Sequence, residues 1–258
     1  MILKKLITVS AFTALLFATS AFIHQNKDQK AAQHSTSENN GFAVLELFTS
    51  EGCSSCPPAD ELMGKIEKEY KDEQVYLLSY HVDYWNRLGW KDRFSTAENS
   101  QRQQQYSRIL NSQVYTPQLV VNGKTEFVGS DENNIRNAIQ KALFTSKKTN
   151  VELSASVSQN KINVQYKIPS TDPQKMLLIN LVEKHSSTEV GKGENEGRHL
   201  HHWQIVHKQN QISINKQQEG ITTFKLPEGF SPENWEVIAF IQNMKTGEIS
   251  GSAKTAFK

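Results

Sequence analysis

The chain has 258 residues, of which 37% are hydrophobic and 22% charged, an ordinary composition for a globular protein with enough length to bury a core. Its formal net charge is +2, and that excess equals Lys4 and Lys5 of the leader, so the remainder is neutral. A neutral chain has no electrostatic footprint for nucleic acid.

Lys4 and Lys5 precede an apolar run over residues 6–17, and the small residues Ala18-Thr19-Ser20-Ala21 follow. This is the layout of a secretory signal peptide, expected over residues 1–21, with an uncleaved membrane anchor as the alternative. Export to a periplasmic or secreted location places cysteines where disulfides persist. Residues 22–40 are polar and aperiodic and predict a flexible linker. No later segment is apolar over a length that spans a bilayer.

Residues 42–48 are almost continuously apolar, as a strand covered on both faces should be. The only two cysteines follow, in Glu51-Gly52-Cys53-Ser54-Ser55-Cys56-Pro57-Pro58. A C-x-x-C where a strand turns into a helix is a site for thiol–disulfide exchange. A cysteine at a helix N-terminus gains thiolate character from free N–H groups and the dipole. Pro57-Pro58 moves the helix start towards Ser55, which weakens that help at Cys53. Three other readings compete. A structural staple is poorly served by so short a loop, a zinc or copper site lacks half its ligands, and the thiols are inert in the third.

The stripe Ala59, Leu62, Met63, Ile66 and Tyr70 predicts a helix over residues 57–70. A buried strand over residues 75–80 runs into His81-Val82-Asp83, and an aromatic loop follows, with Trp85 and Trp90. Ser95 or Thr96 caps a glutamine-rich helix ending near Leu110. Thr116-Pro117 opens a strand over residues 118–121. Asn122-Gly123 turns it back into residues 125–128, and Ser130 caps a helix over residues 131–144. His81 ends its strand on the cysteine edge of the sheet, where it supports a thiolate, joins a metal site, or packs under the tryptophans.

The order β–α–β–α–β–β–α, with C-x-x-C at the first turn and a proline at the third strand, resembles the thioredoxin fold. The resemblance implies an α/β thioredoxin-like domain over residues 41–147, with Pro117 cis and facing Cys53 and Cys56. Residues 46–60, His81-Val82-Asp83-Tyr84-Trp85, Gly89-Trp90-Lys91-Asp92, Tyr115-Thr116-Pro117-Gln118 and Val128-Gly129-Ser130-Asp131 resemble an uncharacterised family of exported thioredoxin-like proteins, catalogued as a domain of unknown function. The likeness extends through residues 193–198. It implies a redox site of Cys53, Cys56, Thr116 and Pro117 with no cofactor. Thioredoxin carries a buried aspartate where this chain has Leu47; Glu46 is one position off and points to the opposite face, as a surface or salt-bridged group.

Beyond Thr149 the apolar period changes to two, and short strands with turns between them predict an antiparallel β-sandwich-like domain over residues 148–258. His199, His201, His202 and His207 fall within it. Alternate residues share a strand face, so His199 and His201 form a candidate metal pair, with His207 or Glu194 contributing, against a plain polar strand edge. Residues 191–198 hold three glycines but lack the ending of a phosphate loop. The function implied is an exported thiol–disulfide oxidoreductase that acts on a protein thiol or disulfide and is recycled by a redox partner. Copper handling through Cys53, Cys56 and His81 is the alternative.

Overall fold

The structure, a computed structural model, describes residues 41–145, 148–169, 172–215 and 218–257. The expected signal peptide and linker over residues 1–40 lie outside the described residues. Strands β1 (Ala43–Thr49) and β2 (Val75–His81) flank helix α1 (Pro57–Glu69), and α2 (Ala97–Leu110) precedes β3 (Gln118–Val121), β4 (Thr125–Val128) and α3 (Glu132–Thr145). Among the described residues seven strands follow: β5 (Glu152–Ser158), β6 (Lys161–Lys167), β7 (Lys175–Glu189), β8 (His199–Ser213), β9 (Glu219–Lys225), β10 (Trp235–Asn243) and β11 (Ile249–Ala256).

An α/β thioredoxin-like domain followed by a separate all-β sandwich-like domain is not what forms. Among the described residues the fold is mostly β, with three short helices. One mixed eight-stranded sheet has the order β11-β10-β7-β8-β2-β1-β3-β4, and a second sheet has the order β5-β6-β9. The junction is the parallel contact of β2 with β8, where Ser79 lies opposite Ile205 and the Ser79 hydroxyl donates to the Trp203 carbonyl at 2.7 Å.

Alternation along the strands explains why one sheet is covered on both faces. Ala43, Leu45 and Leu47 of β1 pack against Leu62, Met63 and Ile66 of α1 and Ile135 and Ile139 of α3. Phe42, Val44 and Phe48 point the other way, into a core with Tyr106 of α2 that also holds Leu178, Val182 and Phe240. Leu177, Ile179 and Leu181 face the small sheet, where Ile162 and Val164 meet them. Each of these apolar runs is therefore buried on both faces.

The local expectations mostly hold. Thr96 is the N-cap of α2, its side chain accepting from the Asn99 N–H. The last helix is capped by Asp131 rather than Ser130, since Asp131 Oδ1 accepts from the Asn134 N–H. Asn122 and Gly123 both take positive φ in the β3–β4 turn. The expected strands over residues 203–207 and 211–214 are one strand, β8. Leu181 pairs with Lys208 and Val182 with Val206, leaving His207 as the extra residue of a bulge that breaks the alternation.

Candidate functional site

Cys53 and Cys56 are joined by a disulfide in the loop between β1 and α1. The helix N-cap is Cys56, with prolines at its first two positions, so Cys53 lies outside the helix. The helix thus starts past Cys53, in the direction that Pro57-Pro58 suggested: the two proline nitrogens carry no hydrogen, and the first helical N–H groups, those of Ala59 and Asp60, are taken by the Cys56 carbonyl. Both cysteines are 0% exposed.

The Thr116–Pro117 peptide is cis and brings the Thr116 hydroxyl to Cys53, donating to Sγ at 3.3 Å. The Trp85 indole N–H donates to the same hydroxyl at 2.8 Å. The Ser55 hydroxyl completes the ring, 3.4 Å from Cys53 Sγ and donating to the Thr116 carbonyl. The tryptophan of the aromatic loop thus orients the group that touches the sulfur.

Behind the disulfide loop lies a buried polar cluster. Asp92 Oδ2 accepts from the Glu51 N–H at 2.9 Å and contacts His81 Nδ1 at 2.6 Å, while Oδ1 accepts from the Phe94 N–H. Burial works to lower the His81 pKa, but the Asp92 carboxylate, helped by Asp60 and Glu51, outweighs it and holds the imidazole above its usual range. Burial pushes Asp92 up; His81 and the two backbone donors outweigh it and hold Asp92 below the usual range. Both shifts favour the charged pair. Glu51 Oε2 accepts from the Trp90 indole at 2.7 Å. Its Oε1 lies 3.4 Å from His202 Nε2, without the alignment of a hydrogen bond.

Asp60 joins the cluster from α1. Its Oδ2 accepts from the Thr49 hydroxyl at 3.1 Å, and burial lifts its pKa to about 6 against the opposing pull of His202 and His81. The Asp60 N–H donates to the Cys56 carbonyl, so the carboxyl stands one helical turn beyond Cys56 on the same face.

His81 is fully buried and bound to Asp92 rather than to either sulfur, with its ring edge-on to Phe94 and His202. The histidines of β8 separate as strand alternation demands. His202 points inward and is 1% exposed; His199 pairs with Glu189 and His207 with Glu183. His201 packs between His199 and His185. Glu194 is taken by the Ser54 N–H at 3.2 Å. Among the described residues, no group of three or more His, Cys, Asp or Glu side chains has the geometry to hold a metal ion.

Glu46 is buried on the face opposite Leu47, paired with Arg102 at 2.5 Å and accepting from the Tyr106 hydroxyl. Its salt bridge locks α2 onto the sheet. The residues missing from the sequence reading are Glu51, Asp60, Asp92 and Asn195. Glu51 lies two residues before Cys53 and Asp60 four after Cys56, both local to the loop; Asp92 and Asn195 are brought to Glu51 from 41 and 144 residues away.

A family described as a protein of unknown function (DUF1223) matches residues 44–242, a span that includes the disulfide, the Thr116–Pro117 turn and the buried cluster. The chain belongs to the DUF1223 family. No curated protein matches it. Among solved structures, an Agrobacterium tumefaciens protein is similar at 27% identity and a TM-score of 0.63, over 82% of this chain and 92% of that one. HBP35 of Porphyromonas gingivalis is similar in fold at 18% identity and a TM-score of 0.57, over 84% of this chain and 75% of that one. Among the described residues of this DUF1223 chain, no helix is long and apolar enough to cross a membrane.

Proposed function

We propose that this protein is an exported thiol–disulfide oxidoreductase that acts on protein thiols through Cys53 and Cys56. The observation that carries the reading is the disulfide ringed by three hydroxyl- or indole-bearing side chains, with the Thr116 hydroxyl on Cys53 Sγ. A pair serving only as a staple closes too short a loop to stabilise the fold much.

In the oxidised protein a substrate thiolate attacks Cys53 Sγ. A bond forms between the substrate sulfur and Cys53, the Cys53–Cys56 bond breaks, and Cys56 leaves as a thiolate. A second substrate thiolate then attacks the substrate sulfur of that mixed disulfide and expels Cys53. The substrate dithiol is oxidised to a disulfide, and the cysteine pair takes up the two electrons. Asp60, titrating near pH 6 one turn from Cys56, is the buried group placed to exchange the Cys56 proton. Thr116 and Pro117 receive the partner's backbone. A second disulfide of a redox partner reoxidises the pair. The N-terminal leader sends the chain to a compartment where that disulfide is maintained.

The test is turnover of a peptide dithiol by the purified protein with glutathione disulfide as the terminal oxidant. Cys53→Ser abolishes the exchange, and Cys56→Ser accumulates the mixed disulfide on Cys53, visible by mass. Wild-type rates in Cys53→Ser would remove the reading.

A further inference from the structure

Both cysteines are closed to solvent, yet exchange requires a thiolate to reach Cys53 Sγ in line with the disulfide. β7 and β8 form a long hairpin, and its tip, residues 190–198, lies on the disulfide loop. Asn195 is fully buried there. Its Nδ2 donates one hydrogen to the Glu51 carbonyl at 2.8 Å and the other to the Cys53 carbonyl at 2.9 Å. Its Oδ1 accepts from Arg198 Nη1 at 2.9 Å, which fixes which end of the amide faces the cysteine loop. Glu194 beside it takes the Ser54 N–H. One side chain and its neighbour thus hold three backbone groups around Cys53.

The tip is built to move as a piece. Its base is closed by the Val190 N–H on the Arg198 carbonyl and the Gly197 N–H on the Val190 carbonyl, and Gly193 and Gly197 take positive φ. An added Cβ at Gly191 would stand 3.2 Å from the Trp90 ring, so the tip rests on the tryptophan that also binds Glu51. Apart from Gly191 and Gly193 against Trp90, its attachment beyond Val190 is polar, and Glu194 and Glu196 are exposed. Segments held by a few hydrogen bonds and little apolar burial open at the lowest free energy in a fold.

We propose that residues 190–198 are a latch that closes the Cys53–Cys56 disulfide to thiols, with Asn195 as its positioning residue. The latch keeps the Cys53 peptide seated and its Sγ under Thr116; when it lifts, Cys53 is free to turn outward and accept an incoming thiolate. The inference rests on the reading of Cys53 and Cys56 as an exchanging pair, and supplies its regulation: a partner that displaces the hairpin tip opens the site.

Access is measurable without any enzyme activity. The oxidised, full chain is mixed with dithiothreitol, quenched, and labelled with maleimide; each dithiothreitol contributes two electrons and two protons and leaves as its cyclic disulfide. Asn195→Ala and the isosteric Asn195→Asp, which presents an acceptor to both carbonyls, should be reduced roughly tenfold faster than wild type. Reoxidation by glutathione disulfide should rise by the same factor, so the reduction potential stays put, whereas a change confined to the stability of one redox form would shift it. Glu194→Ala, at an exposed position that leaves the core intact, should give a smaller increase and carries the test if the Asn195 variants fail to fold. Reduction rates within twofold of wild type in every folded variant overturn the latch. So does a wild-type rate as fast as that of an unfolded peptide disulfide. Either result stands apart from the fate of Cys53→Ser in turnover.

Discussion

Asp60 donates its backbone N–H to the carbonyl of Cys56 at 3.2 Å, which places a buried carboxyl one helical turn past the second sulfur of the pair. Thr49, His81 and His202 face it from β1, β2 and β8, and Asp92 from the aromatic loop. Burial is the dominant influence and raises its pKa from 3.8 to about 6.

That shift predicts a pH-dependent stability. A carboxyl whose pKa is higher folded than unfolded stabilises the fold fully below about pH 4, and the contribution is lost as pH rises through about 6. Asp60→Asn stays neutral throughout, so its stability relative to wild type should improve between pH 4 and pH 7, by on the order of 3 kcal/mol. Thermal melts of both proteins across that range check it. A difference in Tm that does not change with pH would mean that Asp60 keeps an ordinary pKa in the fold.

The buried pair of Glu46 and Arg102 gives a second test. Arg102→Met strands the Glu46 carboxylate under Tyr106 and should cost about 3–5 kcal/mol in urea unfolding. Glu46→Leu combined with Arg102→Met removes both charges and should recover most of that loss, because desolvating the pair opposes its attraction. A single substitution costing less than about 1 kcal/mol would mean that water reaches Glu46.

Gly64 supplies a third, where helix propensity and packing oppose each other. Glycine to alanine inside a helix normally stabilises by about 1 kcal/mol. Here the added Cβ would fall 2.4 Å from Cε2 of the Trp203 ring, where α1 leans on β8. Gly64→Ala should therefore lower stability by about 1–3 kcal/mol. Adding Trp203→Leu should reverse the sign of the Gly64→Ala effect. An increase in Tm from Gly64→Ala alone would refute the close approach.

The sequence by itself determined the local structure of this chain and the identity of its disulfide. The helices over residues 57–69, 97–110 and 132–145 could be read from apolar stripes and caps, because 3.6-residue periodicity and capping act within a few positions. The C-x-x-C marked the cysteine loop for the same reason, and the alternation of β8 foretold that His199 and His201 share a face. Beyond the β3–β4 hairpin marked by Asn122-Gly123, which strand neighbours which was settled only in the tertiary structure. β2 has an apolar pattern that suits a closed domain and a continuing sheet alike, and its contact with β8 depends on an edge that periodicity does not encode. Asp92, His202 and Asn195 reach the disulfide loop through contacts spanning 41 to 151 residues, and polar side chains at that separation carry no local sign of being buried. Local forces act along the chain; burial of the disulfide is set by which distant groups find each other once the sheet has formed.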